Sequence, residues 1–214
     1  MSTMHWETIS PTMREILMVF GKNRIAEHFY LAGGTALALQ IGHRRSIDLD
    51  FFSPDLDIPS ITEALRASLE IYSPILADSA WGNLVFVAEQ VRIGFYRYGY
   101  PLIEALSQAK GVSLASLTDI GLMKLDALLA RASRKDLHDL FAICQRMPLR
   151  SLLDVAQIKF AHVRDFEAQA VRHLVYFERA EQEAPVPLIE EISWEHVKKY
   201  FQNQAKDLGT NWLK

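Results

Sequence analysis

Cysteine is nearly missing from this chain: Cys144 is the single one in 214 residues, so no intramolecular disulfide can form and metal binding by clustered thiolates is excluded. Its apolar neighbours Leu140, Phe141 and Ile143 give it a packing role rather than that of a nucleophile. No apolar run approaches the length of a membrane-spanning helix, and the N-terminal stretch Met1–Met13 has neither the basic start nor the apolar core of a signal peptide. A cytoplasmic protein without a membrane partner is expected. Positive charge is not in surplus either. Lys and Arg total 23 against 26 Asp and Glu, a formal net charge of −3, which argues against a broad electropositive surface for sequence-independent nucleic-acid binding and leaves room only for local patches. No internal repeat or low-complexity tract is present.

Half of the residues are apolar, enough for the core of one large or two small domains. The most informative stretch runs from Phe29 to Phe52. It reads as a short strand (Phe29–Ala32), a turn at Gly33 and Gly34, a short helix (Thr35–Ile41), a basic turn (His43, Arg44, Arg45) and a second strand ending in Asp48-Leu49-Asp50. Glycines where a strand becomes a helix let a phosphate approach the amides of the helix start, so Gly33, Gly34 and Thr35 are a candidate phosphate cradle. Asp48 and Asp50 are two apart on a strand and therefore project from one face. Like charges so placed repel unless a cation lies between them, and Mg2+, which takes a few carboxylates together with phosphate oxygens and water, is the simplest such cation. The combination points to metal-nucleotide chemistry, with Asp48 and Asp50 as the metal ligands. Asp55 and Asp57, beyond Pro54, suit a turn.

Elsewhere, apolar spacing predicts an N-terminal helix over 8–25, and Ser60 with Glu63 predicts a capped helix over 61–69. Two strands, Asn83–Ala88 and Val91–Arg97, are expected to form a hairpin at Glu89-Gln90. From Leu117 the pattern is helical, with an apolar stripe interrupted by Lys124; Arg131 follows two helical turns later, near the same face. Asp136 and Asp139 share a face of the next helix, and His138 points elsewhere. Further helices are expected over 151–162, 165–182 and 194–208, with the Pro185–Pro187 segment as a linker or brace. Basic residues also gather at His43–Arg45, at Arg92 and Arg97, and at Arg131 with Arg134 and Lys135.

Gly33-Gly34-Thr35, a short helix and Arg44-x-Ser46-Ile47-Asp48-Leu49-Asp50-Phe51-Phe52 together resemble the nucleotidyltransferase superfamily that includes DNA polymerase beta, and more closely its AbiEii toxin branch. Tyr98–Leu102, Lys124–Arg131, Arg134–Leu140 and Leu174–Glu181 continue the resemblance, which spans roughly residues 10 to 182. It implies a mixed α/β nucleotidyltransferase domain over 1–105, a mixed sheet with flanking helices, followed by an all-helical domain over 106–214 whose first helices close over the acidic strand. It also implies an enzyme that moves a nucleoside monophosphate from a nucleoside triphosphate, GTP among the candidates, to an acceptor hydroxyl of transfer RNA or another RNA. The branch is known from abortive-infection and toxin–antitoxin systems, so a cognate antitoxin is an implied partner.

In this reading Arg45, Lys124 and Arg131 join the glycine turn at the nucleotide, and Lys124 neutralises triphosphate charge. Asp136, or alternatively Asp139, acts as general base, orients Lys124 or binds metal. The superfamily commonly draws a third metal carboxylate from a strand such as Val91–Arg97. This strand has none, and Gly94 stands where one would be sought. Glu89 and Glu104 are alternatives, or two carboxylates suffice. A small-molecule acceptor, as in antibiotic nucleotidyltransferases, and a nucleotide-binding or interaction module without catalysis are the competing functions.

Overall fold

In the computed structural model, which describes residues 4–80 and 82–211, the chain forms two units, Met1–Ser116 and Leu117–Lys214. Ser10 starts the first helix, α1 (Pro11–Phe20), by accepting from the Met13 amide at 3.1 Å, with Pro11 at a position that has no amide to satisfy. The helix expected over 8–25 is therefore shorter, and a separate 3-10 turn covers Arg24–His28. Then come β1 (Tyr30–Leu31), α2 (Gly33–Ile41), β2 (Asp48–Ser53), α3 (Thr62–Ser68), β3 (Ile75–Ala80), β4 (Asn83–Ala88), β5 (Val91–Arg97), β6 (Ser107–Ala109) and β7 (Val112–Leu114).

The strands form one mixed sheet in the order β3-β4-β5-β2-β1-β7-β6. β2 runs parallel to β5 and antiparallel to β1, so the acidic strand lies near the sheet centre. One face packs an aromatic core. Phe20 of α1 lies 4.5 Å from Phe51, and Phe95 stacks on Phe51 at 5.3 Å between ring centres. Strand alternation sends Asp48 and Asp50 to the other face.

The expected hairpin joins β4 to β5, and Glu89 and Gln90 at its turn both adopt positive φ. Two further expectations are corrected. The sheet-bearing unit ends at Ser116 rather than 105, because the β6–β7 hairpin lies beyond that point and β7 pairs with β1. Its two-residue turn, Lys110-Gly111, was the sequence signal for those strands. Ser60 does not cap a helix: its hydroxyl donates to the Asp57 carbonyl within a 3-10 turn, Ile58–Ile61, and α3 starts after it without a side-chain cap. β3, with every residue exposed, had no apolar alternation to reveal it.

The second unit contains α4 (Leu117–Ala130), α5 (Arg134–Cys144), α6 (Leu149–Lys159), α7 (Phe166–His173), α8 (Glu178–Glu181) and α9 (Trp194–Asn211). α4 is buried on most sides, and Gly121 admits Leu152 of α6 so closely that a Cβ would lie 2.9 Å from its Cδ1. A fully buried ion pair, Lys159 to Asp119 at 2.9 Å, joins the same two helices. The single helix expected over 165–182 is divided into α7 and α8 at Leu174–Phe177, a run rich in β-branched and aromatic residues that are weak helix formers. His138 is buried and lies on Trp194, ring centres 5.5 Å apart. Burial pushes the Cys144 thiol up to about 12, in keeping with a packing role.

Candidate active site

The glycine pair sits inside the first turn of α2 rather than before it. The chain leaves β1 at Ala32, whose amide donates to the Asp50 carbonyl at 3.1 Å, and enters the helix through Gly33 at φ +66. A Cβ on Gly33 would lie 3.4 Å from Asp50 Oδ2. Glycine here serves both the left-handed backbone and the space beside the carboxylate. The first amides of α2, which have no partners within the helix, thus start next to Asp50.

The Thr35 side chain has a use of its own. It is buried, and its hydroxyl hydrogen-bonds to Ser46 Oγ at 2.8 Å and to the Asp48 carbonyl, which ties α2 to the start of the acidic strand. Its side chain positions Asp48 rather than reaching outward. In the basic turn Arg44 is buried, with Nη1 donating to the Arg45 carbonyl at 3.0 Å, whereas Arg45 is exposed.

Asp48 and Asp50 are both half-buried on one face of β2, while Leu49 and Phe51 are fully buried on the other. Among the described residues no third His, Cys, Asp or Glu joins them in a metal-binding group. Glu89 is exposed at the hairpin turn, and Glu104 is exposed beyond β5. The donor set is then two carboxylates beside a helix start, which fits a magnesium ion completed by water and phosphate oxygens.

The register explains what occupies the position of a third carboxylate. Asp48 is level with Arg92, Asp50 with Gly94 and Phe52 with Tyr96, all on one face. The Tyr96 ring folds back over Gly94, where any Cβ would collide with it, and stacks on Phe52 at 5.2 Å. Arg92 Nη1 donates to the Tyr96 hydroxyl at 3.2 Å and lies 3.9 Å from Asp50 Oδ1. Burial and the Asp50 carboxylate raise the Tyr96 phenol above its usual range, against the pull of Arg92. Partial burial lowers Arg92, but Tyr96, Asp50 and Asp48 outweigh it and favour the charged form. Arg92 was visible in the sequence only as one basic residue among several, and Tyr96 not at all. The period-two alternation Arg92, Gly94, Tyr96 was the available signal, without the knowledge that β5 is the neighbour of β2.

In the helical unit, Lys124 and Arg131, placed near one face by their spacing, converge on Asp136. Lys124 Nζ lies 2.9 Å from Asp136 Oδ1 and 2.7 Å from Asp139 Oδ2, and its side chain is 7% exposed. Arg131 Nε donates to Asp136 Oδ2 at 2.7 Å from a side chain that is 55% exposed. Ser133, the N-cap of α5, donates to the same oxygen at 2.7 Å and accepts from the Asp136 amide. Burial alone would raise the Asp136 carboxyl. Lys124, Arg131 and Ser133 overcome it and hold the group well below the usual carboxylate range. Such a carboxylate is a poor proton acceptor at neutral pH. Of the roles considered for Asp136, the geometry fits the orientation of Lys124.

Residues 15–80 match the family described as "Nucleotidyl transferase AbiEii toxin, Type IV TA system". The chain is 33% identical over 192 residues to the protein aq_aa25 of Aquifex aeolicus, covering 87% of this chain and 91% of that one. Among solved structures, MenT4, a nucleotidyltransferase toxin of Mycobacterium tuberculosis, is similar with a TM-score of 0.55 at 15% identity, over 89% of this chain and 80% of the other. The antibiotic-resistance factor ANT(2'')-Ia is similar with a TM-score of 0.53 at 12% identity, over 75% of this chain and 97% of the other. At these identities the structural likeness concerns the fold.

Proposed function

We propose, from the premise that this chain belongs to the AbiEii family of nucleotidyltransferases, that it transfers a nucleoside monophosphate from a nucleoside triphosphate to a hydroxyl of RNA, as the toxin of a toxin–antitoxin pair. The observation that carries the chemistry is the placement of Asp48 and Asp50 on one face of β2 with the start of α2 beside Asp50. The family's description as the toxin of a toxin–antitoxin system supports the biological role, and with it an antitoxin partner.

The acceptor hydroxyl oxygen attacks the α-phosphorus, its proton passes to water, and the bond from that phosphorus to the bridging oxygen breaks to release pyrophosphate. The amides of Gly33 and Gly34 hold phosphate oxygens, since a helix start favours anions. Asp48 and Asp50 would hold Mg2+, which would offset charge on the transferring phosphoryl group. Thr35 keeps Asp48 in place through its backbone bond. Exposed Arg45 offers a guanidinium group to phosphates, whereas within the helical unit Lys124, Arg131 and Asp136 hold the α4–α5 junction in register. Preorganised charge and position supply most of the catalysis in such reactions.

Incubation with each α-labelled triphosphate, total RNA and Mg2+ tests this reading. Label is expected in RNA with one or a few nucleotides, and to disappear with EDTA, Asp48→Asn or Asp50→Asn. Label that instead enters an aminoglycoside would favour the small-molecule acceptor. Absence of transfer to any acceptor, with triphosphate binding indifferent to Asp48→Asn, would refute the assignment.

A further inference from the structure

On the face that carries the acidic pair, β5 contributes a cation and a phenol. Gly94 has no Cβ, and the Tyr96 ring fills the space beside it. The hydroxyl of Tyr96 receives Arg92 Nη1 at 3.2 Å, and the same nitrogen is 3.9 Å from Asp50 Oδ1. Arg92 is also level with Asp48 in the parallel register, so its charge is felt by both carboxylates. Its side chain is 46% exposed and that of Asp50 27%, which leaves Arg92 free to swing on its flexible stem without unpacking the strand. Tyr96, stacked on Phe52, is the fixed member.

We propose that Arg92, positioned by Tyr96, is the resident counter-ion of Asp48 and Asp50, that a divalent cation displaces it, and that the displaced guanidinium then binds the triphosphate. The inference rests on the reading of Asp48 and Asp50 as metal ligands. Its physical content is an exchange of partners. A guanidinium close to Asp50 repels an entering metal ion, so it weakens binding of the metal alone. Once metal and triphosphate are both present, the same charge can pair with anionic phosphate oxygens, and its planar donors suit them better than one carboxylate oxygen at 3.9 Å. The opposite signs of these two effects distinguish exchange from a merely structural salt bridge.

Manganese binding measured by the loss of the free-ion paramagnetic resonance signal provides the test, read without turnover. Arg92→Ala is expected to bind Mn2+ alone about three- to tenfold more tightly than the wild type, the size of a like-charge repulsion at a half-exposed site. In calorimetry with ATP, GTP, CTP and UTP at saturating Mn2+, the same variant is expected to bind the preferred nucleotide at least about fivefold more weakly. Tyr96→Phe keeps the ring over Gly94 and removes the hydroxyl; it should shift both affinities in the same directions by less. Arg92→Lys should restore the Mn2+ affinity of the wild type but only part of the nucleotide affinity. If Asp48→Asn abolishes Mn2+ binding while Arg92→Ala leaves it unchanged or weaker, the exchange is refuted and the metal site stands. If the wild type takes up no Mn2+ with or without triphosphate, and Arg92→Ala does not restore it, the reading of the site falls and the exchange with it.

Discussion

Replacing Lys124 by Met would remove an ammonium from between two carboxylates while keeping a long, flexible side chain. Nζ lies 2.9 Å from Asp136 and 2.7 Å from Asp139, both of them essentially inaccessible to water. Breaking one partner of a buried pair costs about 3–5 kcal/mol, because the remaining charge has lost its compensation. For a chain of this size each kcal/mol corresponds to about 2–4 °C in melting temperature, so the variant should melt about 6–20 °C below the wild type at pH 7. The pH dependence gives a second signature. Asp136 has a folded-state pKa held below the ordinary value by Lys124, Arg131 and Ser133 despite its burial. Its contribution to stability is therefore full above the unfolded-state value, about 3.9, and is lost as pH falls towards the lower folded value. Asp136→Asn should thus be destabilised by a constant amount between pH 7 and pH 5, and the gap to the wild type should shrink below about pH 4. Circular-dichroism melts of the wild type and both variants at pH 7, 5 and 3 measure this. Wild-type melting in Lys124→Met, or a gap for Asp136→Asn that is as wide at pH 3 as at pH 7, would show that the cluster does not hold α4 to α5.

Other consequences concern the sheet-bearing unit and the thiol. Gly33→Ala places a side chain at positive φ and against Asp50, so it should cost about 1–2 kcal/mol in chemical denaturation and also weaken Mn2+ binding. Thr35→Val removes a buried hydroxyl that serves Ser46 and the Asp48 carbonyl; a loss of about 1–3 kcal/mol in urea unfolding is expected, with transfer reduced by displacement of Asp48. Cys144, its thiol raised to about 12 by burial, should resist an aromatic disulfide reagent at pH 8 in the native state and react at once in guanidinium.

Much of this arrangement could be read from residue order alone. The alternation in Asp48-Leu49-Asp50-Phe51 predicted one acidic and one apolar face, and both exist. Lys124, Arg131 and Asp136 were associated by helical spacing and by resemblance, and they do meet. The direction of hydroxyls and charges was not legible. Thr35 at a helix start suits a phosphate equally well on paper, but its burial against β2 depends on which strand packs there. Lys124 likewise looked like an ammonium spare for phosphates, because nothing in its own helix announces that two aspartates of α5 enclose it. The β6–β7 hairpin escaped notice for another reason. Strands of three residues contain too few alternations to stand out, and only the positive-φ turn at Lys110-Gly111 marks them.

The seating of Tyr96 over Gly94 restricts how this strand can change in evolution. An aspartate at position 94 alone would meet the Tyr96 ring, and a smaller residue at position 96 alone would deprive Arg92 of its hydrogen-bond partner and Phe52 of its stacked neighbour. Each single step is unfavourable, and only the two together open the position. A carboxylate on this strand would therefore require the Tyr96 ring to move away, and with it the hydrogen bond to Arg92 and the stack on Phe52.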